Sequence, residues 1–266
     1  MSQVHVTLES GTGCVHTAPG HGIEDFVVCK NYPEIPIIVP VDAKGRLTEE
    51  AGMFAGLTTE EANKPIALHL EKIGALFALK KIEHQYPHCW RCHKPVIFRA
   101  TSQWFCSVDD FKDDAVKAAE DVKWFPEWGK DRLQSMVKER ADWCISRQRK
   151  WGVPIPVVYC QDCGKEIIDN DIMMKVSKIF GEEGSDAWFA HDTEYFLPEG
   201  FKCPHCGSAK GFDKEKDIMD VWFDSGSSHA AVLEQRDNLE SPADLYLEGN
   251  DQYRGWFQSS LLTSVA

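Results

Sequence analysis

Six of the ten cysteines form three C-x-x-C pairs, a spacing at which two thiolates bind one metal ion. In two of the pairs a glycine follows the second cysteine, as in the tight turns that carry zinc ligands. Two such turns together supply four sulfur ligands in a tetrahedral arrangement. The spacing therefore predicts structural zinc bound by Cys160, Cys163, Cys203 and Cys206. Reduced thiols without metal and an iron site of the rubredoxin type stay open as alternatives.

The third pair, Cys89 and Cys92, has no second pair near it in the sequence. The remaining cysteines occur singly, so we expect this pair to be half of a second zinc site whose other half lies upstream of residue 1. A redox-active pair is the alternative. It is less favoured because a redox C-x-x-C needs a helix that starts at its first cysteine, and the residues after Cys89 do not favour a helix.

Helices and strands alternate in the sequence pattern, which predicts an α/β architecture. A short helix begins near Glu24, and periodic apolar positions predict helices at 63–74, 110–121 and 129–141. Strands are predicted at 37–41 and 244–248, the second leading through a Gly turn into a helix that holds Trp256. Between the metal pairs, residues 181–200 carry six carboxylates without Lys or Arg, which predicts a surface insertion that loops outward.

The chain is acidic, with 29 basic against 42 acidic residues and a net charge of −13. This balance argues against nucleic-acid binding through bulk positive charge, but it leaves room for a local basic path. The sequence contains no apolar run of about 18 residues and does not begin with a signal peptide. We therefore expect a soluble, cytoplasmic protein without a membrane partner.

The block GTGCVHTAPGHGIED at residues 11–25 resembles the later half of the editing domain of class I aminoacyl-tRNA synthetases. Further blocks resemble the isoleucyl enzymes of bacteria and extend the likeness over essentially the whole chain. They are HCWRCHKPVIFRATSQWF, DWCISRQRKWGVPIPVVYC, DVWFDSGSSH and YLEGNDQYRGWFQSSL. The valyl branch of the family is an alternative that the first block and DVWFDSGS argue against.

The resemblance implies part of a Rossmann-like catalytic core with a partial β-rich editing domain and a zinc-ribbon insertion. The implied segments are half of the editing insertion at 1–83, a return into the core at 84–156, the zinc ribbon at 157–212 and the second half of the core at 213–266. The family's HIGH-type and KMSKS-type signatures and the Thr-rich editing strand are not found. We therefore expect an internal, inactive fragment. A stand-alone zinc-ribbon module that binds tRNA or protein, and a trans-editing hydrolase, are the alternatives.

The resemblance also assigns roles to single residues. His16 and Asp25 would line the editing pocket, where the carboxylate takes the α-amino group of a mischarged ester. Trp222 and Trp256 would wall the isoleucine side-chain pocket. The aminoacyl-adenylate would be held by Glu248, Gly249, Asp251 and Gln252. The alternatives are that Asp25 and Asp251 only cap helices, that His16 only completes a loop, and that the tryptophans are core residues.

The segment 138–151 has a local charge of about +3, and the resemblance places it near tRNA, with Arg147, Arg149 and Lys150 as phosphate contacts. A solvated helix face is the alternative. The implied partners are tRNA(Ile), isoleucine and ATP with Mg²⁺, and the implied metal is Zn²⁺, in an enzyme that is monomeric at full length. Tyr253 departs from the family pattern, which often has histidine there.

Overall fold

The computed structural model describes residues 15–266. Residues 1–14, with Cys14 and the start of the block at 11–25, lie outside this part. The described chain forms two compact units, residues 15–102 and residues 103–266. The finer division at residues 83, 156 and 212 stays a prediction.

The first unit contains two α-helices, α1 at Ile23–Cys29 and α2 at Thr59–Lys72, and a 3₁₀ segment at Glu49–Phe54. Helix α1 confirms the predicted short helix. Helix α2 begins four residues before the predicted start because Thr58, not Asn63, caps it. The Thr58 Oγ1 accepts from Glu61 N at 3.2 Å, and Glu61 Oε2 accepts from Thr58 N at 2.8 Å. This reciprocal capping box satisfies two N–H groups at once.

The predicted strand at 37–41 is wrong. Only Val41 makes a ladder contact, an isolated antiparallel bridge to Leu47. Ile37 and Ile38 are more than half exposed. Their β-branched side chains favour extended backbone, but a strand also needs a neighbour along its length. In the described residues, backbone pairing reaches only the end of this segment, at Val41 and at the Pro40 carbonyl, which accepts from Thr48 N.

The second unit contains seven short strands, and every described pairing is antiparallel. Strand β1 pairs with β2, β3 pairs with β7, and β4 lies between β5 and β6. They are β1 Phe105–Cys106, β2 Trp143–Cys144, β3 Ser146–Arg147, β4 Val158–Cys160, β5 Glu166–Ile167, β6 Phe212–Lys214 and β7 Ile218–Met219.

Seven helices complete this unit, and they confirm the α/β composition. They are α3 Lys112–Ala118, α4 Gly129–Lys138, α5 Asn170–Glu183, α6 Ala187–Ala190, α7 Thr193–Phe196, α8 Val221–Gly226 and α9 Trp256–Val265. Helices α3 and α4 confirm the two predictions at 110–121 and 129–141. None of the described helices combines the length and apolarity that crossing a bilayer requires.

Residues 244–248 do not form the predicted strand. They lie outside any strand or helix, and Leu245 and Leu247 are more than 70% exposed. Glu248 therefore does not end a parallel strand in the described part of the chain. The residues after it form a 3₁₀ turn at Asn250–Arg254 that leads directly into α9.

Helices α3, α4 and α9 enclose one of the two apolar cores of this unit. Tyr253, the residue that departs from the family pattern, is 5% exposed and lies between Trp124 and Trp128, with ring centroids 6.4 and 6.1 Å away. A Cβ on Gly129 would collide with the Tyr253 hydroxyl. The phenol is therefore a core side chain that needs glycine at the start of α4.

The other core lies in residues 158–214, which we call the cysteine module. Its acidic stretch does not loop outward as predicted. Trp188 and Phe196 are fully buried with ring centroids 4.7 Å apart, while all six carboxylates are exposed. Lys214 Nζ donates to the carbonyls of Trp188 and His191. The outward loop was predicted from the number of charged residues in this stretch. Its conformation depends instead on burial of the large apolar side chains.

Glu215 follows the cysteine module and joins it to the residues before β1. Its Oε2 accepts from Trp104 Nε1 at 2.8 Å and from Tyr159 OH at 2.5 Å, and its carbonyl accepts from Trp188 Nε1 at 2.8 Å. Burial, together with the hydrogen bond to Glu215, raises the pKa of Tyr159 to about 12. The phenol therefore stays a donor at neutral pH.

Replacing Trp188 by alanine removes the largest buried side chain of the cysteine module. We expect Trp188→Ala to lower the free energy of unfolding of this module by about 3–5 kcal/mol. Phe189→Ala is the control, because Phe189 lies next to it in α6 and is 51% exposed. Urea unfolding followed by far-ultraviolet circular dichroism measures both. Equal midpoints for the two variants would contradict the packing described here.

Candidate functional site

The four cysteines of the two glycine-containing turns come together as predicted. Their sulfur atoms all lie within 4.8 Å of one another. The Sγ atoms of Cys160 and Cys206 are 3.7 Å apart, and those of Cys163 and Cys203 are 3.8 Å apart. A tetrahedron with zinc–sulfur bonds of about 2.3 Å has edges of about 3.8 Å. The arrangement therefore fits one tetrahedral metal ion.

Both turns have the same backbone geometry, which explains the glycines. Gly164 N donates to Cys160 O and Gly207 N donates to Cys203 O, each at 2.8 Å. The φ angles of these glycines are +68° and +74°, values that residues with a Cβ rarely adopt. His205 is exposed, and its Nε2 lies 2.9 Å from Glu166 O. It is not part of the sulfur cluster.

The local environment moves the pKa values of Cys203 and Cys206 in opposite directions. Burial opposes ionisation of Cys203, but N–H groups of His205 and Cys206 and the nearby thiols lower its pKa to about 6. The Ser208 N–H favours the Cys206 thiolate, yet burial and the three other thiols raise its pKa to about 12. One thiolate forms readily while the last is opposed by its neighbours. A bound cation would stabilise the thiolate form of its cysteine ligands.

The third pair forms the same turn in the other unit. Cys89 N donates to Lys94 O and His93 N donates to Cys89 O, both at 2.8 Å. His93 stands where the other turns have glycine and adopts φ +57°. The N–H groups of Cys92 and Arg91 lower the pKa of Cys89. The turn is shaped for a metal, but within the described residues Cys89 and Cys92 have no further ligands.

The second unit also brings Trp222 and Trp256 together, around the start of α9. Gln252 Oε1 accepts from Trp256 N at 2.8 Å, and Trp256 Nε1 donates to Ser225 O at 2.9 Å. A Cβ on Gly255 would collide with Gln252 Oε1 and lie 3.0 Å from Cη2 of Trp222. Trp222 is 40% exposed. The edge of the Trp222 ring and the Gln252 amide therefore meet at Gly255, directly before Trp256 in the chain.

Sequence reasoning missed Tyr246, which lies against Trp256. The two rings stack at 4.3 Å with an interplanar angle of 18°, and Tyr246 OH lies 2.8 Å from Ser260 Oγ. An aromatic residue two positions before Glu248 was a weak signal by itself, because the contact depends on how the chain folds back onto α9.

Three residues predicted to bind the adenylate are exposed and make few hydrogen bonds. Glu248, Gly249 and Asp251 are exposed. Asp251 Oδ2 accepts from Gln252 Nε2 at 3.1 Å, and Gly249 N lies 3.4 Å from Glu248 Oε2. Asp251 lies in the first turn of the 3₁₀ segment but its side chain does not cap it. The carboxylates are free to meet a ligand.

The basic segment divides into two kinds of residue. Arg149, Lys150 and Trp151 are exposed, Trp151 to 88%. Arg147 instead turns inward, where its Nη2 lies 2.9 Å from Oδ2 of the buried Asp220. Two of the three predicted phosphate contacts, Arg149 and Lys150, are therefore accessible, while Arg147 is engaged within the fold.

In the first unit, Asp25 lies in the first turn of α1, and its Oδ2 accepts from Ala18 N at 2.9 Å. His16 is exposed, and the described residues give it no hydrogen bond. His21 Nδ1 lies 2.9 Å from Phe98 O. The second oxygen of Asp25, Oδ1, has no partner in the described part of the chain and is free to accept.

The chain belongs to the class I tRNA synthetases of the I, L, M and V group, whose family model matches residues 18–266. Within that class it is similar to proteins named isoleucine–tRNA ligase. It is 66% identical to that of Caldicellulosiruptor saccharolyticus over 262 residues, 59% to that of Moorella thermoacetica and 60% to that of Carboxydothermus hydrogenoformans. Each alignment covers 98% of this chain but 28% of the relative, so the chain spans just over a quarter of their length.

We expect different metal binding at the four-cysteine site and at the turn that holds Cys89 and Cys92. We expect the isolated chain to bind one zinc ion, Cys203→Ser to lose it, and Cys89→Ser to retain it, because only the first site has four ligands. Elemental analysis after dialysis counts the zinc, and the thiolate charge-transfer band of a Co²⁺-substituted sample reports sulfur ligation. Loss of the metal in both variants would contradict the assignment.

Proposed function

We propose that the chain is the segment of an isoleucine–tRNA ligase that walls the isoleucine pocket, carries a structural zinc site and contributes to the editing site. The observation that supports this proposal is the meeting of Trp222 and Gln252 at Gly255, directly before Trp256, in a chain whose relatives bear that name. In the longer protein, the reaction joins isoleucine to tRNA(Ile) with ATP and Mg²⁺. We expect that protein to be a cytoplasmic monomer.

The two indoles suit isoleucine because large, rigid aromatic rings bind a branched apolar side chain with little loss of conformational freedom. The Trp256 ring donates to the Ser225 carbonyl and stacks on Tyr246, while Gln252 accepts from the Trp256 backbone N. The exposed Glu248 and Asp251 carboxylates would accept from the amino and ribose groups of the adenylate. Gly249 allows the ligand to approach the backbone.

Editing follows from the limited selectivity of such a pocket. A pocket shaped for isoleucine rejects valine by one methylene, about 1–3 kcal/mol, so a second site must remove valyl esters. Asp25 Oδ2 is fixed by Ala18 N, which leaves Oδ1 to accept from the α-ammonium group of the ester. His16 is exposed beside this loop and would contact the same ester.

The tRNA contact falls on the exposed tip formed by Arg149, Lys150 and Trp151. The two cations would bind phosphates, which positions the acceptor strand without reading its sequence. The 88% exposed indole offers a stacking surface for an unpaired base.

Zinc would be structural at the four-cysteine site. Cys160, Cys163, Cys203 and Cys206 fill all four tetrahedral positions, so no position is left for a reacting water. When bound, the ion supplies a cross-link and neutralises the thiolates. Cys89 and Cys92 would bind a second ion with two ligands supplied by another part of the longer protein.

Activity can be tested in a chimeric ligase, the Caldicellulosiruptor saccharolyticus protein with its matching segment replaced by this chain. We expect isoleucine-dependent ATP–pyrophosphate exchange within about tenfold of the parent, and no exchange by the 266-residue chain alone. Trp256→Ala should lower kcat/KM for isoleucine by at least about tenfold, because a pocket wall is lost. Trp151→Ala is the exposed control and should leave exchange unchanged. A folded but inactive chimera would favour a zinc-ribbon binding module instead.

Editing is tested separately in the same chimera. Asp25→Asn should slow hydrolysis of valyl-tRNA(Ile) by about tenfold or more, since a charge-assisted hydrogen bond contributes about 1.5–3 kcal/mol. Isoleucine exchange should stay within about twofold. Glu24→Gln, an exposed carboxylate in the same helical turn, is the matched control. Equal hydrolysis by the two variants would exclude Asp25 from the editing pocket.

A further inference from the structure

Asp220 is a carboxylate with 4% exposure at the junction of strand β7 and helix α8. Its Oδ2 accepts from Trp143 Nε1 at 2.9 Å and lies 2.9 Å from Arg147 Nη2. Its Oδ1 accepts from Trp222 N at 3.3 Å. One buried side chain therefore connects β2, β3 and the start of the helix that carries Trp222.

The guanidinium of Arg147 binds groups at this junction, although the side chain is 42% exposed. Its Nη1 donates to Cys144 O at 2.7 Å and to Ser146 O at 2.8 Å, while Nη2 binds Asp220. Strand β3 fixes the backbone, because Arg147 pairs with Ile218. These bonds use three of the five guanidinium N–H groups and hold the side chain against Asp220. A movement of Arg147 away from this junction would leave the Asp220 charge buried without its cation.

Trp222 depends on Asp220 for its position. Asp220 is the N-cap of α8, a helix of only six residues, and Trp222 is the second residue of that helix. The far edge of the Trp222 ring lies beside Gly255, next to Gln252. A shift of the Asp220 carboxylate would therefore move the start of α8 and the indole with it.

We propose that Arg147 and Asp220 are a positioning pair that fixes Trp222 against the amino-acid pocket, and that Arg147 acts in the choice of amino acid and does not bind tRNA. This inference rests on the proposed function, because it concerns the isoleucine pocket. It reassigns Arg147, which the sequence grouped with Arg149 and Lys150. The structure separates them because only Arg147 has a buried carboxylate as its partner.

The test compares Arg147→Gln with Arg149→Gln in the chimeric ligase. ATP–pyrophosphate exchange needs no tRNA, so it isolates the amino-acid pocket. For Arg147→Gln we expect KM for isoleucine to rise about tenfold, the ratio of kcat/KM for isoleucine over valine to fall, and KM for tRNA in aminoacylation to change by less than about twofold. Arg149→Gln should instead raise KM for tRNA in aminoacylation and leave KM for isoleucine within about twofold. Unchanged exchange with a raised KM for tRNA in Arg147→Gln would overturn the proposal.

A double-mutant cycle keeps the test decisive if Arg147→Gln alone fails to fold. Asp220→Asn removes the buried charge, so adding Arg147→Gln to it should change KM for isoleucine by less than about twofold. An independent effect of Arg147→Gln in that background would contradict a pair. Hydrogen exchange at the Trp222 amide should speed up in Asp220→Ala, which lacks the acceptor. If the unmodified chimera shows no isoleucine exchange, the proposed function fails, and unchanged Trp222 amide exchange would separately refute the positioning role.

Discussion

The buried charge of Asp220 is the constraint on which the centre of the second unit depends. A carboxylate removed from water is costly unless donors surround it, and the donors come from three separate elements. Trp143 on β2, Arg147 on β3 and the Trp222 amide on α8 must all reach it. Strands only two residues long would not fix these positions by their ladder bonds alone. The hydrogen bonds and the ion pair of Asp220 therefore add to the few backbone hydrogen bonds that hold these elements together.

The helices that the sequence predicted are present, whereas the two predicted strands are not, for a physical reason. A helix such as α4 satisfies its backbone bonds within itself, so periodic apolar residues and local caps specify it. A strand needs a paired neighbour. In the described part of the chain, residues 37–41 have one isolated bridge at Val41 and residues 244–248 have no bridge. The acidic stretch misled in another way, because two buried aromatic rings at Trp188 and Phe196 outweighed exposed charges that cost little.

The parts of the candidate site that depend on local cysteine spacing could be predicted from the sequence. The C-x-x-C turns specified the sulfur cluster. The pocket roles of Trp222 and Trp256, which the sequence blocks imply, stay predictions. Contacts between distant segments were not accessible in this way. Tyr246 stacks on a ring ten residues later, and Arg147 is separated from Asp220 by the entire cysteine module. Local charge density grouped Arg147 with exposed cations, whereas tertiary pairing decided its orientation.

The sulfur cluster also closes a loop. The 39 residues between Cys163 and Cys203 hold helices α5, α6 and α7, and they begin and end at the same four sulfur atoms. A cross-link across a loop of this length reduces the entropy of the unfolded chain by an amount worth about 4 kcal/mol. An ion bound there would act as a reversible cross-link. Its occupancy would depend on the metal concentration and on the protonation of the thiols. The packing of Trp188 over Phe196, which belong to the same core as Cys160 and Cys203, would then be coupled to the metal chemistry of the cell.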